Sequence, residues 1–211
     1  MLLTEVLIRQ MMPNAGSRLD PHLPFISSAV EDGGITSELA IAAFMAQLAH
    51  ESGEYRYMEE LADGSAYEGW MNLGNTEPGD GIKFKGHGPI QITGRANHAA
   101  CGKALGLDLI ANPRLLTRPE YGTVSAVWFW NAHKLTSLAE RSWFHVITKI
   151  INGGYTGWAD RLNYYLRNRQ ILGLPSYTPI MEEQDIIAFQ AQHGLVADGQ
   201  VGPKTIAALN A

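Results

Sequence analysis

The chain is poor in the features that mark disulfide-rich, membrane and nucleic-acid-binding proteins. Cys101 is its one cysteine, so an internal disulfide and a zinc site built on cysteines are both excluded. No stretch reaches the roughly 18 apolar residues of a membrane-spanning helix, so we expect no membrane insertion. The formal net charge of −5 provides no basic surface for nucleic acid. No close metal-ligand motif occurs, and we expect neither a metal nor another cofactor.

The start of the chain does not resemble a secretory signal. The apolar run within Met1–Gln10 is short and ends in a charged residue, Arg9, which is more typical of a short amphipathic helix. We therefore expect synthesis in the cytoplasm without a leader. If the protein acts outside the cytoplasm, another component has to deliver it.

What the sequence does contain is helical periodicity. Its 211 residues fit one domain of about 150–200 residues with a small appendage. Glycines punctuate a long loop from Gly64 to Gly88, and Pro89–Thr93 alternates like a short strand. The expected fold is thus mainly α with minimal β. The main helices are predicted at Thr4–Met11, His22–Glu31, Ser37–Glu51, Pro119–Lys134, Ser142–Ile151 and Ala159–Leu172.

A turn-rich linker, Leu174–Pro179, divides the chain into two predicted parts, residues 1–175 and residues 180–211. The second part reads as a small helical hairpin, with helices at Met181–His193 and Pro203–Leu209. About thirty residues cannot easily hold a core alone. We therefore expect this hairpin to dock on the larger part.

The helix that ends at Glu51 carries the most informative carboxylate. Thr36 or Ser37 can cap its start, and Gly53 is a natural stop. Poor solvation beside an apolar stripe and the negative end of the helix dipole should both raise the pKa of Glu51, as a proton donor requires. An exposed Glu that closes a helix is the competing interpretation. The stripe consists of Ile41, Phe44, Met45 and Leu48.

Hydrolysis of a glycosidic bond needs a second carboxyl group across the groove. Glu60 lies nine positions beyond Glu51 (60−51) and Glu68 seventeen (68−51), and either can face it if the chain turns back after Gly53. The residues alone do not choose between them. Glu59 and Glu60 also read as an exposed acidic pair, and Glu54 as a solvated surface residue.

Three polar side chains add to this candidate site. Gln91 and Thr93 share one face of the predicted strand, where an amide and a hydroxyl can hold a sugar or an attacking water. Asn152 either caps a helix end or points its amide into the groove. A plain turn-rich strand is the competing interpretation of the first pair. His87 and His98 are expected at the surface.

Taken together, these segments resemble glycoside hydrolase family 19, which contains chitinases and phage endolysins and has a lysozyme-like fold. The resemblance covers roughly residues 1–175. His87 departs from the family's usual Arg in the Gly-Arg-Gly-Pro run. Five blocks occur in family order: Ala46–Gly53, Gly86–Thr93, Leu105–Pro113, Ala126–Trp130, and Ile150–Gly154 followed by Asp160 and Arg161.

The resemblance implies roles for individual residues. Glu51 matches the general acid, Glu60 the general base of the compact members, and Thr93 the residue that helps hold the water. Glu68 remains a substitute base or groove residue. An inverting mechanism is implied, with the carboxylates roughly 6.5–9.5 Å apart. Gln91, Asn97, Asn152 and Arg161 fall on substrate-groove or acid-network positions.

The tail resembles the second half of a peptidoglycan-binding module, although a merely structural hairpin is an equal alternative. The resulting hypothesis is a monomeric phage-type endolysin that hydrolyses β-1,4 bonds of peptidoglycan glycan strands and reaches the wall through a pore made by another protein. A chitinase is the second hypothesis. A non-catalytic wall-binding phage protein is the third. The segments that carry the tail resemblance are Phe189–Leu195 and Asp198–Thr205.

Overall fold

The computed structural model describes residues 3–211 and is mainly helical in that range. Residues 1 and 2, the beginning of the Met1–Gln10 run, lie outside the described residues. Four short 3₁₀ helices lie at Gly16–Leu19, Ser65–Tyr67, Met71–Leu73 and Pro113–Thr117. The α-helices are α1 Glu5–Met11, α2 Leu23–Asp32, α3 Glu38–Ser52, α4 Asp80–Lys83, α5 Arg95–Leu105, α6 Pro119–Ala132, α7 Leu135–Glu140, α8 Phe144–Asn152, α9 Trp158–Ile171, α10 Pro179–Gln192 and α11 Pro203–Leu209.

Helix α3 is the centre of the fold and packs most extensively on α9. The Ser37 side chain accepts a hydrogen bond from the Ala40 N–H at 3.3 Å, and Gly53 ends the helix with φ of 55°. Both predicted ends are therefore confirmed. The predicted stripe is too narrow, because every residue from Ala40 to Ala49 is buried. A helix surrounded by other helices on all sides needs apolar or small residues all round.

The six predicted main helices are present, with ends that differ by at most two residues. Three further α-helices, α4, α5 and α7, were not predicted, and α4 is a single turn inside the predicted Gly-rich loop. Helix α5 contains few apolar residues and so lacks a clear stripe. Helix α7 follows α6 after only two intervening residues, and the left-handed conformation of Lys134 (φ of 53°) separates the two.

The predicted strand at Pro89–Thr93 is wrong. Residues 88–91 form a turn between His87 and Ile92, which pair with each other in an isolated bridge. Gly88 and Gln91 both have positive φ, of 78° and 55°, which an extended strand does not allow. The alternation of apolar and polar residues arises because Ile90, within this turn, and Ile92, directly after it, are both buried.

The long Gly-rich loop is confirmed, and close backbone contacts explain two of its glycines. A Cβ atom on Gly64 would lie 2.4 Å from the Gly81 carbonyl oxygen, and one on Gly81 would lie 2.6 Å from the Glu68 nitrogen. Larger residues at these two positions would therefore push apart the two segments of the loop that meet here. The loop folds back on itself at this point.

The C-terminal hairpin docks on the larger part, as its small size predicts. The Glu182 carboxylate of α10 accepts hydrogen bonds from the His145 and Val146 N–H groups at 2.9 and 3.1 Å. Asp185 accepts from the Trp143 indole N–H at 2.7 Å. The two bonds to Glu182 satisfy backbone donors in the first turn of α8, which otherwise have no partner within the helix.

Among residues 3–211, no helix has the length and apolar character that crossing a bilayer requires.

Candidate active site

The first candidate carboxylate, Glu51, lies in the last turn of α3 and is held by a buried arginine. Its side chain is 16% exposed, and its Oε1 accepts a hydrogen bond from Arg161 Nη2 at 2.5 Å. Arg161 comes from α9 and is 1% exposed. The two residues are 110 positions apart in the chain, so the packing of α9 on α3 creates the pair.

The other two nitrogens of Arg161 also donate hydrogen bonds. Its Nη1 donates to Gln47 Oε1 at 2.5 Å, and its Nε donates to the Thr156 carbonyl oxygen at 3.1 Å. Gln47 in turn donates to Thr148 Oγ1 at 2.8 Å. The Glu51 carboxylate, which was expected beside an apolar stripe, instead belongs to a polar network between the packed helices α3 and α9. Such networks fix geometry when every member has a partner.

Asn152, the last residue of α8, is exposed and is bound to the loop that follows. Its Oδ1 accepts a hydrogen bond from the Thr156 N–H at 3.1 Å, while Gly153 takes the left-handed position at the helix end. The same Thr156 supplies the carbonyl that holds Arg161. Asn152 is therefore connected to Glu51 through two intermediate residues.

The chain turns sharply after α3. Gly53, Glu54 and Tyr55 are three consecutive residues with positive φ, between 55° and 63°. The Tyr55 ring is buried, and its hydroxyl lies 2.8 Å from Thr123 Oγ1, which fixes the turn to α6. The turn back after Gly53, on which the sequence argument depended, is thus present.

Glu54 is not a solvated surface residue, which corrects the expectation from sequence. It is 2% exposed, and Asn14 Nδ2 and the Tyr164 hydroxyl donate to its Oε1 at 3.0 and 2.6 Å. The Asn14 N–H donates to the other oxygen at 2.5 Å. These bonds offset the strain of the left-handed conformation of a non-glycine residue.

The second candidate carboxylate, Glu60, is held from two sides. The Tyr67 hydroxyl donates to its Oε1 and the Gly86 N–H to its Oε2, both at 2.8 Å. Its own N–H donates to the Gly86 carbonyl, also at 2.8 Å. Burial, together with the bond to Glu60, raises the pKa of Tyr67 to about 12, so this hydroxyl remains a donor throughout the neutral range.

Glu59 differs from its neighbour because two cations neutralise it. Lys85 and Arg114 lie 3.1 and 3.0 Å from its two oxygens. Partial burial acts to raise the pKa of Glu59, but the bond to Lys85 and the nearby charges outweigh it and hold the pKa below its ordinary value. Glu59 and Glu60 are thus not a simple exposed acidic pair.

Glu68 has a different setting from Glu60. Its two oxygens accept the N–H groups of Gly79 and Gly81 at 2.7 and 2.8 Å. Both bonds close the Gly-rich loop at the point where its glycines approach each other. The carboxylate is therefore engaged in holding the loop.

Gln91, Thr93 and Asn97 form a chain of hydrogen bonds rather than one face of a strand. Asn97 Nδ2 donates to the Thr93 carbonyl at 2.8 Å, and Thr93 Oγ1 donates to the Gln91 carbonyl at 2.9 Å. Gln91 Nε2 donates to the Gly88 carbonyl at 2.8 Å and closes the turn. Gln91 thus has a structural bond within the turn, while the oxygen of the Thr93 hydroxyl retains lone pairs.

His87 and His98 were expected at the surface, and this prediction is wrong. Both are buried, and His87 Nδ1 lies 3.1 Å from His98 Nε2. His98 Nδ1 lies 2.9 Å from the Gly94 carbonyl oxygen, which only a donor can satisfy. Burial lowers the pKa of each histidine to about 4, so the pair is neutral at pH 7.

Sequence reasoning missed two residues of the site. Gln47 is a polar residue inside the apolar sequence of α3, a conflict that could have flagged it as a network member. Tyr67 gave no signal, because its contact with Glu60 arises only when the Gly-rich loop folds. Among residues 3–211, no group of three or more His, Cys, Asp or Glu side chains is placed to hold a metal ion.

A helical fold with a network-bound glutamate at the end of its central helix, and a second held glutamate beyond a tight turn, is the arrangement expected of the lysozyme-like fold class. Comparisons with known proteins agree. The profile of class I chitinases matches residues 24–138, and that of a putative peptidoglycan-binding domain matches residues 177–209. The chain therefore belongs to glycoside hydrolase family 19.

Its relatives are plant and bacterial. An endochitinase of Arabidopsis thaliana is 37% identical over 149 residues, which covers 67% of this chain and 50% of the relative. A glycosyl hydrolase family 19 domain-containing protein of Haemophilus influenzae is 29% identical over 196 residues, which covers 78% of this chain and 94% of the relative. The crystal structure of chitinase C from Streptomyces griseus superimposes with a TM-score of 0.68 at 25% identity, and the match covers 85% of this chain and 96% of the chitinase chain. The chain spans about half the length of the Arabidopsis relative.

Proposed function

We propose that the protein is an endolysin that hydrolyses the β-1,4 bonds of peptidoglycan glycan strands with inversion at the anomeric carbon. The observation that carries this proposal is the position of α8. Its first turn is bound by Glu182 of the segment that matches a peptidoglycan-binding domain, and its Thr148 and Asn152 belong to the network of Glu51. One helix thus connects the wall-binding segment to a candidate catalytic carboxylate.

In the proposed mechanism, Glu51 takes up a proton from solvent before the substrate is cleaved. It then donates this proton to the glycosidic oxygen as the bond from that oxygen to the anomeric carbon breaks. A water molecule attacks the anomeric carbon from the opposite face, and Glu60 accepts the proton that the water loses. Glu51 ends as a carboxylate beside the Arg161 guanidinium, which stabilises the charge that appears during the reaction. The two carboxyl groups exchange protons with solvent before the next cycle.

Two contacts support Glu60 as the base. The Tyr67 hydroxyl and the Gly86 N–H fix the orientation of its carboxylate, while each oxygen keeps a lone pair for the water. Glu68 also accepts one bond on each oxygen, but both donors are backbone N–H groups of the Gly-rich loop, so any movement of Glu68 would disturb that loop. We propose that Thr93, which donates to the Gln91 carbonyl, accepts a hydrogen bond from the attacking water.

Gln91, Asn97 and Asn152 are proposed to line the substrate groove on either side of these carboxylates. The Asn97 and Asn152 side chains are exposed, as a groove residue must be. Arg161, in contrast, is buried and positions Glu51 without reaching a substrate. Its role in the proposal is therefore that of a positioning residue.

The test is the clearing of purified sacculi by the wild type and by Glu51→Gln, Glu60→Gln and Glu68→Gln variants. We expect the first two variants to lose at least about 100-fold in rate, the typical contribution of a general acid or base. We expect Glu68→Gln to retain most activity, and Glu31→Gln, an exposed helix residue, serves as the matched control. Equal clearing by wild type and Glu51→Gln would refute the proposal. The anomer formed first, measured by NMR, tests inversion.

A chitinase is the second candidate function, and the names of the plant relatives favour it. It predicts release of reducing ends from chitin but none from sacculi. A non-catalytic wall-binding protein would bind sacculi and cleave neither polymer. Mass spectrometry of digested sacculi and of digested chitin together distinguishes all three candidates, because it reports directly which bond, if any, is cut in each polymer.

A further inference from the structure

A cleft of about 310 Å³ lies between α8 and the C-terminal hairpin. We call it the junction cleft. Helix α8 and the loop after it contribute His145, Lys149 and Tyr155 to its walls. The hairpin contributes the first turns of α10 and residues 199–201. Neither part of the chain forms this cleft alone, and it contains none of the residues proposed above for bond cleavage.

The floor of the junction cleft is a rigid aromatic surface. The rings of His145 and Tyr155 are stacked with centroids 4.0 Å apart and planes only 2° from parallel. Trp158 supports His145 edge-on, with centroids 4.9 Å apart. Tyr155 is nevertheless 43% exposed. A preformed aromatic surface that stays open to solvent offers a ligand contact area at little cost in side-chain entropy.

Two opposite charges flank this floor. Lys149 and Glu183 both line the cleft, both are exposed, and neither belongs to any ion pair between residues 3–211. Burial lowers the pKa of His145; the Lys149 charge lowers it further and the Glu183 charge opposes this, so both charges lie near the ring. Glu182 also lines the cleft, but its oxygens are engaged by the His145 and Val146 N–H groups. The cleft thus presents one available cation and one available anion.

We propose that the junction cleft binds the stem peptide of peptidoglycan, an inference that rests on the proposed wall-degrading function. A stem peptide carries free carboxylates, a free amine in many walls, and short apolar side chains between them. Those groups complement Lys149, Glu183 and the aromatic floor, respectively. Chitin carries neither charge, so its chains leave the two charged side chains without partners. The hairpin side of the cleft falls within the matched peptidoglycan-binding segment, residues 177–209.

The loop after α8 connects this cleft to the candidate active site. Tyr155 forms part of the cleft floor, and the next residue, Thr156, accepts the Arg161 hydrogen bond with its carbonyl oxygen. Arg161 in turn holds Glu51. A stem peptide in the cleft would therefore contact Tyr155, while a glycan strand in the proposed groove would contact Asn152 at the start of the same short loop. Simultaneous binding would position the strand for cleavage and would favour peptide-bearing strands over bare ones.

The direct test is a ¹⁵N-NMR titration of the full chain with stem peptide released from sacculi by an amidase. We expect the largest shifts at the amides of Lys149, Tyr155, Glu183 and Gly199, with an affinity weakened about threefold by Lys149→Gln or Glu183→Gln. Tyr155→Ala should weaken it about tenfold, as expected for an aromatic anchor. Lys103→Gln, an exposed lysine near the end of α5, is the matched control and should change nothing.

The binding readout does not depend on catalysis, so the two proposals fail separately. If sacculi are not cleaved but the peptide binds at the cleft, the proposed function fails and this inference stands. If sacculi are cleaved but the peptide shifts no cleft amide, or the variants bind it as the wild type does, the inference is overturned. Shifts at the cleft with N-acetylglucosamine oligomers in place of the peptide would also overturn it. In cleavage assays, the wild type should prefer intact sacculi to peptide-free glycan strands, and Lys149→Gln should narrow that preference.

Discussion

Replacing Arg161 with Met should destabilise the protein strongly, because the variant removes one partner of a buried ion pair. Glu51 would lose its cation, while Gln47 and the Thr156 carbonyl would lose their donors. Breaking a buried pair in this way typically costs about 3–5 kcal/mol. For a chain of this size, with roughly 2–4 °C of melting temperature per kcal/mol, the melting temperature should fall by about 6–20 °C.

The double variant Glu51→Gln/Arg161→Met isolates the cause of this loss. Replacement of both charged partners is often close to neutral for stability, since no unpaired charge remains buried. We expect the double variant to recover much of the stability that Arg161→Met loses, while activity stays absent. Urea unfolding followed by tryptophan fluorescence measures the free energy of unfolding of the wild type, the two single variants and the double variant, which together form a double-mutant cycle.

Two outcomes would refute the reasoning. If Arg161→Met unfolds within about 1 kcal/mol of the wild type, the network does not contribute as a buried charge pair should. If the double variant is no more stable than Arg161→Met, the loss comes from packing of the long side chain or from the unpaired Gln47 and Thr156 oxygens, and not from the unpaired carboxylate. Arg161→Lys separates these effects further, because lysine keeps the charge but lacks the planar guanidinium fork that reaches the three partners.

Three further outcomes are expected. Tyr67→Phe should lower kcat about tenfold with little change in KM, because it frees the orientation of Glu60 without touching the groove; an unchanged kcat would contradict this. His87 and His98 have folded-state pKa values of about 4, below the unfolded value near 6.5. Their neutral forms therefore stabilise the fold fully above pH 6.5, and about 3 kcal/mol is lost for each histidine as the pH falls towards 4; urea midpoints that stay level over this range would contradict this. Glu182 should show the opposite pH dependence, because burial raises its pKa to about 7 and the docking of α10 should therefore weaken as the pH rises through 7. Hydrogen exchange in α10 at pH 6 and pH 8 measures this, and equal protection at both pH values would contradict it.

The parts of the fold that follow from local chemistry could be predicted, and those that depend on tertiary contacts could not. Ser37, Gly53 and the apolar sequence between them specify α3 from within a single segment. Glu54 reads as solvated because its partners, Asn14 and Tyr164, lie 40 and 110 positions away. The burial of His98 is invisible in sequence for the same reason.

The candidate site divides in the same way. Glu51 could be found from its helix, and the turn that leads to Glu60 from Gly53. The Arg161 contact could be anticipated only from the family resemblance, since nothing local links residues on two distant helices. The strand at Pro89–Thr93 was mispredicted because alternation was weighed above the Gly88-Pro89 pair, whose turn chemistry prevails.

The capping of α8 by Glu182 has a consequence for protein engineering. Lytic enzymes are often treated as exchangeable cassettes, in which a targeting unit is cut off and another is fused in its place. Here a cut at the linker would leave the His145 and Val146 amides without acceptors and the Trp143 indole without Asp185. Chimeras should therefore retain α10 and attach any new targeting unit after it.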